Sequence, residues 1–308
     1  MKVYKSLQEF TPLEKAVVTT GTFDGLHVGH QKIIDTLQTI ANAIDGETVI
    51  ITFHPHPRLV LFPDDNDLKL LSTLEEKIQL LEKSGINHLI IIPFDKTFSR
   101  LTSLEFVRDI LINTIGTKKL VIGYDHHFGR NREGNFESLK ELAPLYNFDV
   151  EEIPAQDINH VAVSSSKIRT ALLDGDIATA KEYLSYNYKI TGLVVKGNQL
   201  GRTIGYPTAN ILVNDKYKLI PANGVYAVNI LIGENKYNGM MNIGIRPTVD
   251  GTSRTIEVNI FDFESDIYNQ QITIEFVTHI RAEQKFDGLE ALKNQLKTDK
   301  DVAQKILF

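Results

Sequence analysis

The stretch AVVTTGTFDGLHVGHQ, residues 16–31, reads as a buried strand, a glycine-rich turn and the start of a helix. Ala16 to Thr20 is apolar and β-branched, and Gly29 opens a helical pattern that runs to Ala43. A strand feeding a helix in this way is the first half of a strand–helix–strand crossover. The start of a helix offers unpaired N–H groups and a partial positive charge, and Gly29 has no Cβ to keep an anion away. His27 and His30 are three residues apart and can face that mouth together. Charge-assisted hydrogen bonds from their rings, ~1.5–3 kcal/mol each, would outweigh the ~0.3–1 kcal/mol of the helix field. Taken alone, the stretch leaves two readings open: an anion-binding pair, or turn and cap residues with Gly25 and Gly29 serving backbone geometry.

Outward from this point the alternation continues. ETVIITF (47–53) is a second strand, and Ser72 with Glu75 has the spacing of a capping box for the next helix. INHLIIIPF (86–94) is apolar almost throughout, as expected of a strand buried on both faces of a parallel sheet. Thr102 with Glu105 caps another helix, and KKLVIGY (118–124) is a fourth strand. These units predict a Rossmann-like α/β domain, a parallel sheet with helices on both faces and ligands at the carboxyl ends of the strands. Near Ser185 to Tyr188 the period changes. KITGLVV, GVYAVNILI, TIEVNIFDF and QITIEFVTHI are β-rich and separated by Gly, Asn and Pro turns, with Gly233-Glu234-Asn235 as a hairpin loop. They predict an antiparallel sheet or small barrel, closed by a terminal helix with Leu289, Leu292 and Leu296 on one face. The expected domains are residues 1–184 and 185–308.

Composition narrows the chemistry. The 308 residues contain no cysteine, so disulfides, zinc-thiolate sites, iron–sulfur clusters and thiol nucleophiles are excluded. Lys and Arg number 33 against 39 Asp and Glu, giving a net charge of −6, so no global field draws the chain to nucleic acid or anionic lipid. Basic and acidic residues count 19 against 26 over 1–184 and 14 against 13 beyond, so neither part is a basic module. Phosphate must be gripped locally. The N-terminal stretch has no apolar run of signal-peptide length and no window suits a membrane span, so a cytoplasmic location is expected.

Further candidates follow the other strands. SSSKIR (164–169) brings Ser164, Ser165, Ser166, Lys167 and Arg169 to a helix start, either as a second phosphate-binding set or as an N-cap followed by solvated charges. His54 and His56 in FHPHP lie in a loop stiffened by prolines, facing the ligand crevice or forming a rigid turn. In GYDHHFGRNREG (123–134), Asp125 could bind Mg²⁺ or a substrate hydroxyl, and Arg130 and Arg132 could be surface charges. Eight of nine histidines precede residue 184, yet none has zinc-site spacing.

The paired clusters H-x-G-H and S-S-x-x-I-R resemble the nucleotidyltransferase superfamily. G-x-F-D-G-x-H-x-G-H, P-H-P, G-x-D-x-x-F-G-x-x-x-x-G and S-S-x-x-I-R, in that order, look like the adenylyltransferase domain of prokaryotic bifunctional riboflavin kinase/FAD synthetases. GNQLGRTIGYPTANI (197–211), NGVYAV, MNIGIRPT and TIEVNIFDF match the flavokinase half of the same family, so the resemblance covers nearly the whole chain. It implies that riboflavin is phosphorylated by ATP to FMN in a C-terminal β-barrel, and that FMN is adenylylated to FAD with release of pyrophosphate in the N-terminal domain. His27 and His30 would then be catalytic. Gly21, Phe23, Gly29, Ser164, Ser165, Ser166, Lys167 and Arg169 would hold ATP, while His56 and Asp125 would meet FMN.

For the kinase half, the resemblance places ATP and Mg²⁺ at Gly197, Gly201, Arg202, Thr208 and Asn210, with Thr208 and Asn210 as hard oxygen donors to the ion. Pro207 and these glycines would otherwise be plain turn formers. Glu257 alternates with Ile256 and Val258, so it points away from their face; most such glutamates are solvated, but the resemblance makes this one the base for the ribityl hydroxyl. Arg281, Glu283 and Phe286 would cover the flavin ring or merely join barrel to helix. Ser166 stands where the family commonly has Thr, which keeps the hydroxyl, and His127 stands where Arg or another residue often stands, which leaves that side chain's role open. Small-molecule flavins and ATP are the expected partners, with no nucleic acid and no membrane, for a monomer or weak homo-oligomer. Two alternatives are a nucleotidyltransferase with a non-catalytic flavin-binding barrel, and an RNA-binding or synthetase-like protein, which would want a basic domain.

Overall fold

In a computed structural model of the chain, the described residues are 1–64, 68–124, 126–153, 163–197, 200–248 and 251–308, with the backbone alone described at Leu200, 246–248 and 251–253. The chain forms two compact units, Met1–Ser165 and Ser166–Phe308.

In the first unit six strands form a sheet in the order β1 (Lys2–Tyr4), β4 (His88–Pro93), β3 (Glu47–His54), β2 (Ala16–Thr20), β5 (Thr117–Gly123), β6 (Asp149–Ile153), every neighbouring pair parallel. Successive residues on each central strand feed opposite faces. Val17, Ile50, Leu89, Ile91 and Val121 pack with Ile34, Leu37 and Ala41 of the helix Val28–Ile44 and Leu81 of the helix Leu74–Lys83. Val18, Ile51, Ile90, Leu120 and Ile122 pack with Val107 and Leu111 of the π-helical segment Phe106–Ile115 and Leu139 of the helix Phe136–Tyr146. Chain order reverses beside β2, since β3 and β4 lie on one side and β5 on the other. The loop 21–27 therefore leaves β2 at the topological switch point, where a crevice opens.

The sheet contains two strands more than the four expected. β1 is three residues long, and β6, DVEEI, has only two apolar residues and an alternating, half-exposed pattern typical of an edge. The capping box of the second helix sits one residue later than expected, at Thr73 and Glu76. Ser72 is engaged elsewhere: its amide donates to Asp24 and its hydroxyl accepts from the Gly25 amide.

The second unit is a closed barrel, β10 (Asn235–Thr248), β11 (Gly251–Ile260), β8 (Ala209–Leu212), β7 (Lys189–Val195), β12 (Gln271–Arg281), β9 (Gly224–Ile232), antiparallel at every pairing. Closure leaves no free edge. Gly233 takes a positive φ in the two-residue turn joining β9 to β10. The helices Ser165–Leu173 and Ile177–Leu184 lie mostly on the barrel side of the contact boundary, with the Ala222 amide donating to the Leu172 carbonyl at 2.9 Å.

The terminal helix, Leu289–Leu307, packs on the barrel through Leu296, Ala303 and Leu307, against Ala227, Met240 and Phe261. Leu289, expected in that seam, is 54 % exposed because it opens the first turn, while contact is made by later turns. The seam also holds a charge. Asp299 is 1 % exposed and receives Arg281 Nε at 2.9 Å, Arg281 Nη2 at 2.7 Å and Gln295 Nε2 at 2.8 Å. Removing one partner of such a pair strands a buried charge. Arg281→Met is expected to destabilise the barrel by ~3–5 kcal/mol in denaturant melts, whereas Arg281→Met combined with Asp299→Leu recovers most of the loss. Equal destabilisation by the single and double changes would contradict the pairing.

Candidate functional sites at the strand ends of the sheet and in the barrel

The loop after β2 is built from strained backbone. Phe23 and Leu26 have φ of 47° and 42°, a left-handed conformation that side chains resist, with Gly25 at 80° between them. Asp24 holds it. Its buried carboxylate accepts from the Leu71 amide at 2.9 Å and from the Ser72 amide at 3.1 Å. From the other side, buried Lys77 donates to the Thr22 carbonyl at 2.6 Å, and Thr52 Oγ1 reaches the same oxygen at 3.3 Å. Neither Asp24 nor Lys77 was singled out from sequence. The Asp within the glycine-rich run was the only signal, because its partners lie 47 and 48 positions away.

This loop delivers His27 as the N-cap of the helix Val28–Ile44, and its side chain does not cap the helix. The rings of His27 and His30 stack with centroids 3.8 Å apart and planes 13° apart. Two cations could not share that distance in a dry site, so at most one of the two rings carries a charge while each can donate from a ring N–H. His30 is held well below its ordinary pKa by burial, then by His27 and Lys77, and its buried Nδ1 finds no hydrogen-bond partner among the described residues. Both rings line a cleft of about 1370 Å³, together with Gly21, Phe23, Gly29 and His56. Ser164 and Ser165 line it as well, and Ser165 Oγ donates to the Asp24 carbonyl at 3.0 Å. Ser166, Lys167 and Arg169 lie on the helix that Ser165 begins, with Lys167 exposed and Arg169 half-buried. Asp125 lies outside the described residues.

One wall of the cleft was not anticipated. Phe53, Phe94, Phe98, Phe106 and Phe128 form a chain of ring contacts with centroids 5.6–6.4 Å apart. Gly134 permits it, because a Cβ there would lie 2.6 Å from the Phe128 ring. The cleft thus joins a polar, anion-suited mouth to an aromatic face suited to a flat ring.

In the barrel, Thr208 Oγ1 lies 3.5 Å from Glu257 Oε2, and Asn210 stands opposite Glu257 in register. Asn259 Nδ2 donates to the Pro207 carbonyl at 2.7 Å and fixes the turn before Thr208. Gly197 sits against Asn210; an added Cβ would fall 2.2 Å from its amide nitrogen. Gly201 likewise lets the chain pass the Tyr206 carbonyl. Arg202 and Thr208 line a cavity of about 420 Å³ that the segment 263–268, which sequence reasoning did not select, lines as well. Arg281, Glu283 and Phe286 form a separate group. Arg281 is committed to Asp299 and stands 5.6 Å from the Phe286 ring centroid, while exposed Glu283 accepts from the Ile245 amide and from Asn223 Nδ2, both at 3.3 Å. Two β-bulges, between Phe276 and Thr278 and between His279 and Arg281, turn this end of β12. Among the described residues no three His, Asp or Glu side chains converge as a metal site.

The depressed pKa of His30 has a thermodynamic consequence. The unfolded chain binds a proton near the ordinary imidazole value of about 6.5, and the folded chain only at lower pH. Stability is therefore fully present above that value and lost as pH falls through it, because the unfolded state takes up more protons. His279, also lowered by burial, adds a similar slope in the barrel unit. The melting temperature of the first unit is expected to fall as pH drops below about 6.5, and His30→Gln to flatten that fall; equal slopes would contradict the buried neutral ring.

Residues 10–167 match the family model for FAD synthetase, and residues 184–307 the model for riboflavin kinase. The bifunctional riboflavin kinase/FMN adenylyltransferase of Escherichia coli K12 is 36 % identical over 307 residues, covering 99 % of this chain and 97 % of its own. That of Bacillus subtilis 168 is 37 % identical over 299 residues, covering 94 % and 92 %. A crystal structure of a protein described as a macrolide-efflux protein from Streptococcus pneumoniae superposes with a TM-score of 0.88 at 33 % identity, covering 98 % of each chain. No helix among the described residues is long and apolar enough to cross a membrane. The chain belongs to the bifunctional riboflavin kinase/FMN adenylyltransferase family.

Proposed function

We propose that this chain makes FAD from riboflavin in two steps, with the kinase in residues 185–308 and the adenylyltransferase in residues 1–184. In the first step Glu257 accepts the proton of the ribityl 5′-hydroxyl as that oxygen attacks the γ-phosphorus of ATP, giving FMN and ADP. Thr208 and Asn210, hard oxygen donors beside Glu257, fit Mg²⁺, which supplies charge neutralisation when bound. Gly197, Gly201 and Arg202 border the nucleotide, and Arg281, Glu283 and Phe286 the flavin ring.

In the second step an FMN phosphate oxygen attacks the α-phosphorus of another ATP and pyrophosphate leaves. His27 and His30 donate hydrogen bonds to the phosphates. Gly21, Phe23, Gly29 and Ser164 to Lys167, with Arg169, hold the nucleotide, while His56 and Asp125 meet the flavin substrate. Positioning and charge neutralisation suffice without a covalent enzyme intermediate, which fits a chain without cysteine. The observation that carries the reading is the stacked histidine pair at a helix start, joined in one cleft to an aromatic wall. Flavins and ATP are its partners, in the cytoplasm, for a monomer or weak homo-oligomer.

Incubation with riboflavin and Mg-ATP, followed by separation of flavins, is expected to yield FMN and FAD. Glu257→Gln should slow FMN formation by ~10²–10⁴-fold and leave adenylylation of supplied FMN intact. His30→Ala should do the reverse. Parallel loss of both products in either variant would contradict two separate sites.

A further inference from the structure

We propose that Lys77 is a positioning residue for adenylyl transfer, holding the loop 22–26 at the height that presents His27 and His30 to the phosphates; this rests on the adenylyltransferase reading above. Lys77 lies on the inner face of the helix Leu74–Lys83, four residues before Leu81 and likewise buried. A leucine there would pack with less penalty, since a buried ammonium must give up its water. What it gains is on the loop. Its Nζ donates to the Thr22 carbonyl at 2.6 Å, and it lies within electrostatic reach of the Asp24 carboxylate, which raises the lysine pKa against the lowering effect of burial. Asp24 ties the loop to Leu71 and Ser72, which lead into the same helix. The helix thus grips both sides of Phe23, by its preceding turn through Asp24 and by Lys77 through Thr22.

That grip has a direct line to the chemistry. Phe23, in its left-handed conformation, touches the His30 ring with centroids 5.1 Å apart, and His30 stacks on His27. A shift of the Thr22 carbonyl therefore moves the residue on which the histidine pair rests. Thr52 Oγ1 also reaches that carbonyl, so loss of Lys77 should loosen the loop without unfolding the sheet. Effects of ~10²-fold on turnover are typical when reacting groups are misplaced by about 1 Å.

The full-length chain with Lys77→Met and with Lys77→Arg tests this. For Lys77→Met we expect kcat for FAD formation from FMN to fall by ~10²-fold, with a much smaller change in the KM for ATP and unaltered FMN formation from riboflavin. Lys77→Arg, which keeps a donor and a charge, should recover most of the turnover. Hydrogen exchange at the Gly25 amide, bonded to Ser72 Oγ at 3.2 Å, should accelerate in Lys77→Met. Wild-type turnover in Lys77→Met, equal damage in both variants, or unchanged Gly25 exchange would each overturn the proposal. A wild-type chain that forms FMN but no FAD would overturn the reading of the cleft itself, and the Gly25 exchange would still decide whether Lys77 holds the loop.

Discussion

The buried carboxylate of Asp24 is the interaction on which the first unit's site depends. A parallel sheet delivers a strand end to the switch point, but it does not prescribe the path from there into a helix. Here the path passes through two left-handed non-glycine residues, each costing ~1–2 kcal/mol in backbone strain. Hydrogen bonds to a charged acceptor contribute ~1.5–3 kcal/mol each, and Asp24 receives two from the amides of Leu71 and Ser72. The strained loop is therefore held by a charge that never faces the cleft, leaving the histidine rings and the helix N–H groups to do so.

The barrel solves the same problem with different parts. Its strands alternate inward and outward, so Val258 packs in the core while Glu257 projects beside Thr208. Gly197 allows the Asn210 amide to lie against the backbone, and Asn259 pins the turn that carries Thr208. At the far end of β12 the Arg281–Asp299 pair ties the strand to the terminal helix. In both units a polar side chain is fixed by partners distant in sequence, and the groups suited to substrate sit one step away.

Much of this was legible in the sequence because it depended on local pattern. The strand at Ala16–Thr20 coincides with its apolar, β-branched run, and the helix that follows begins within one residue of Gly29. The edge strands β1 and β6 were missed because an edge needs little apolar surface and leaves a weak signal. The Ser72 capping pattern misled by one residue because Ser72 had a tertiary use that local spacing does not reveal. His27, His30, Thr208, Asn210 and Glu257 stood out through recognisable motifs. Lys77 and the phenylalanine wall did not: buried amphipathic helices and apolar strands contain such residues as a matter of course, and only the fold brings these into one place.

Two triphosphate pockets in one acidic chain is the central claim, and occupancy tests it most directly. Crystals grown with Mg²⁺ and a non-hydrolysable ATP analogue should show one nucleotide with its phosphates at His27, Gly29 and His30, and a second with its phosphates at Thr208 and Asn210. A single nucleotide, or two bound away from these residues, would contradict the account.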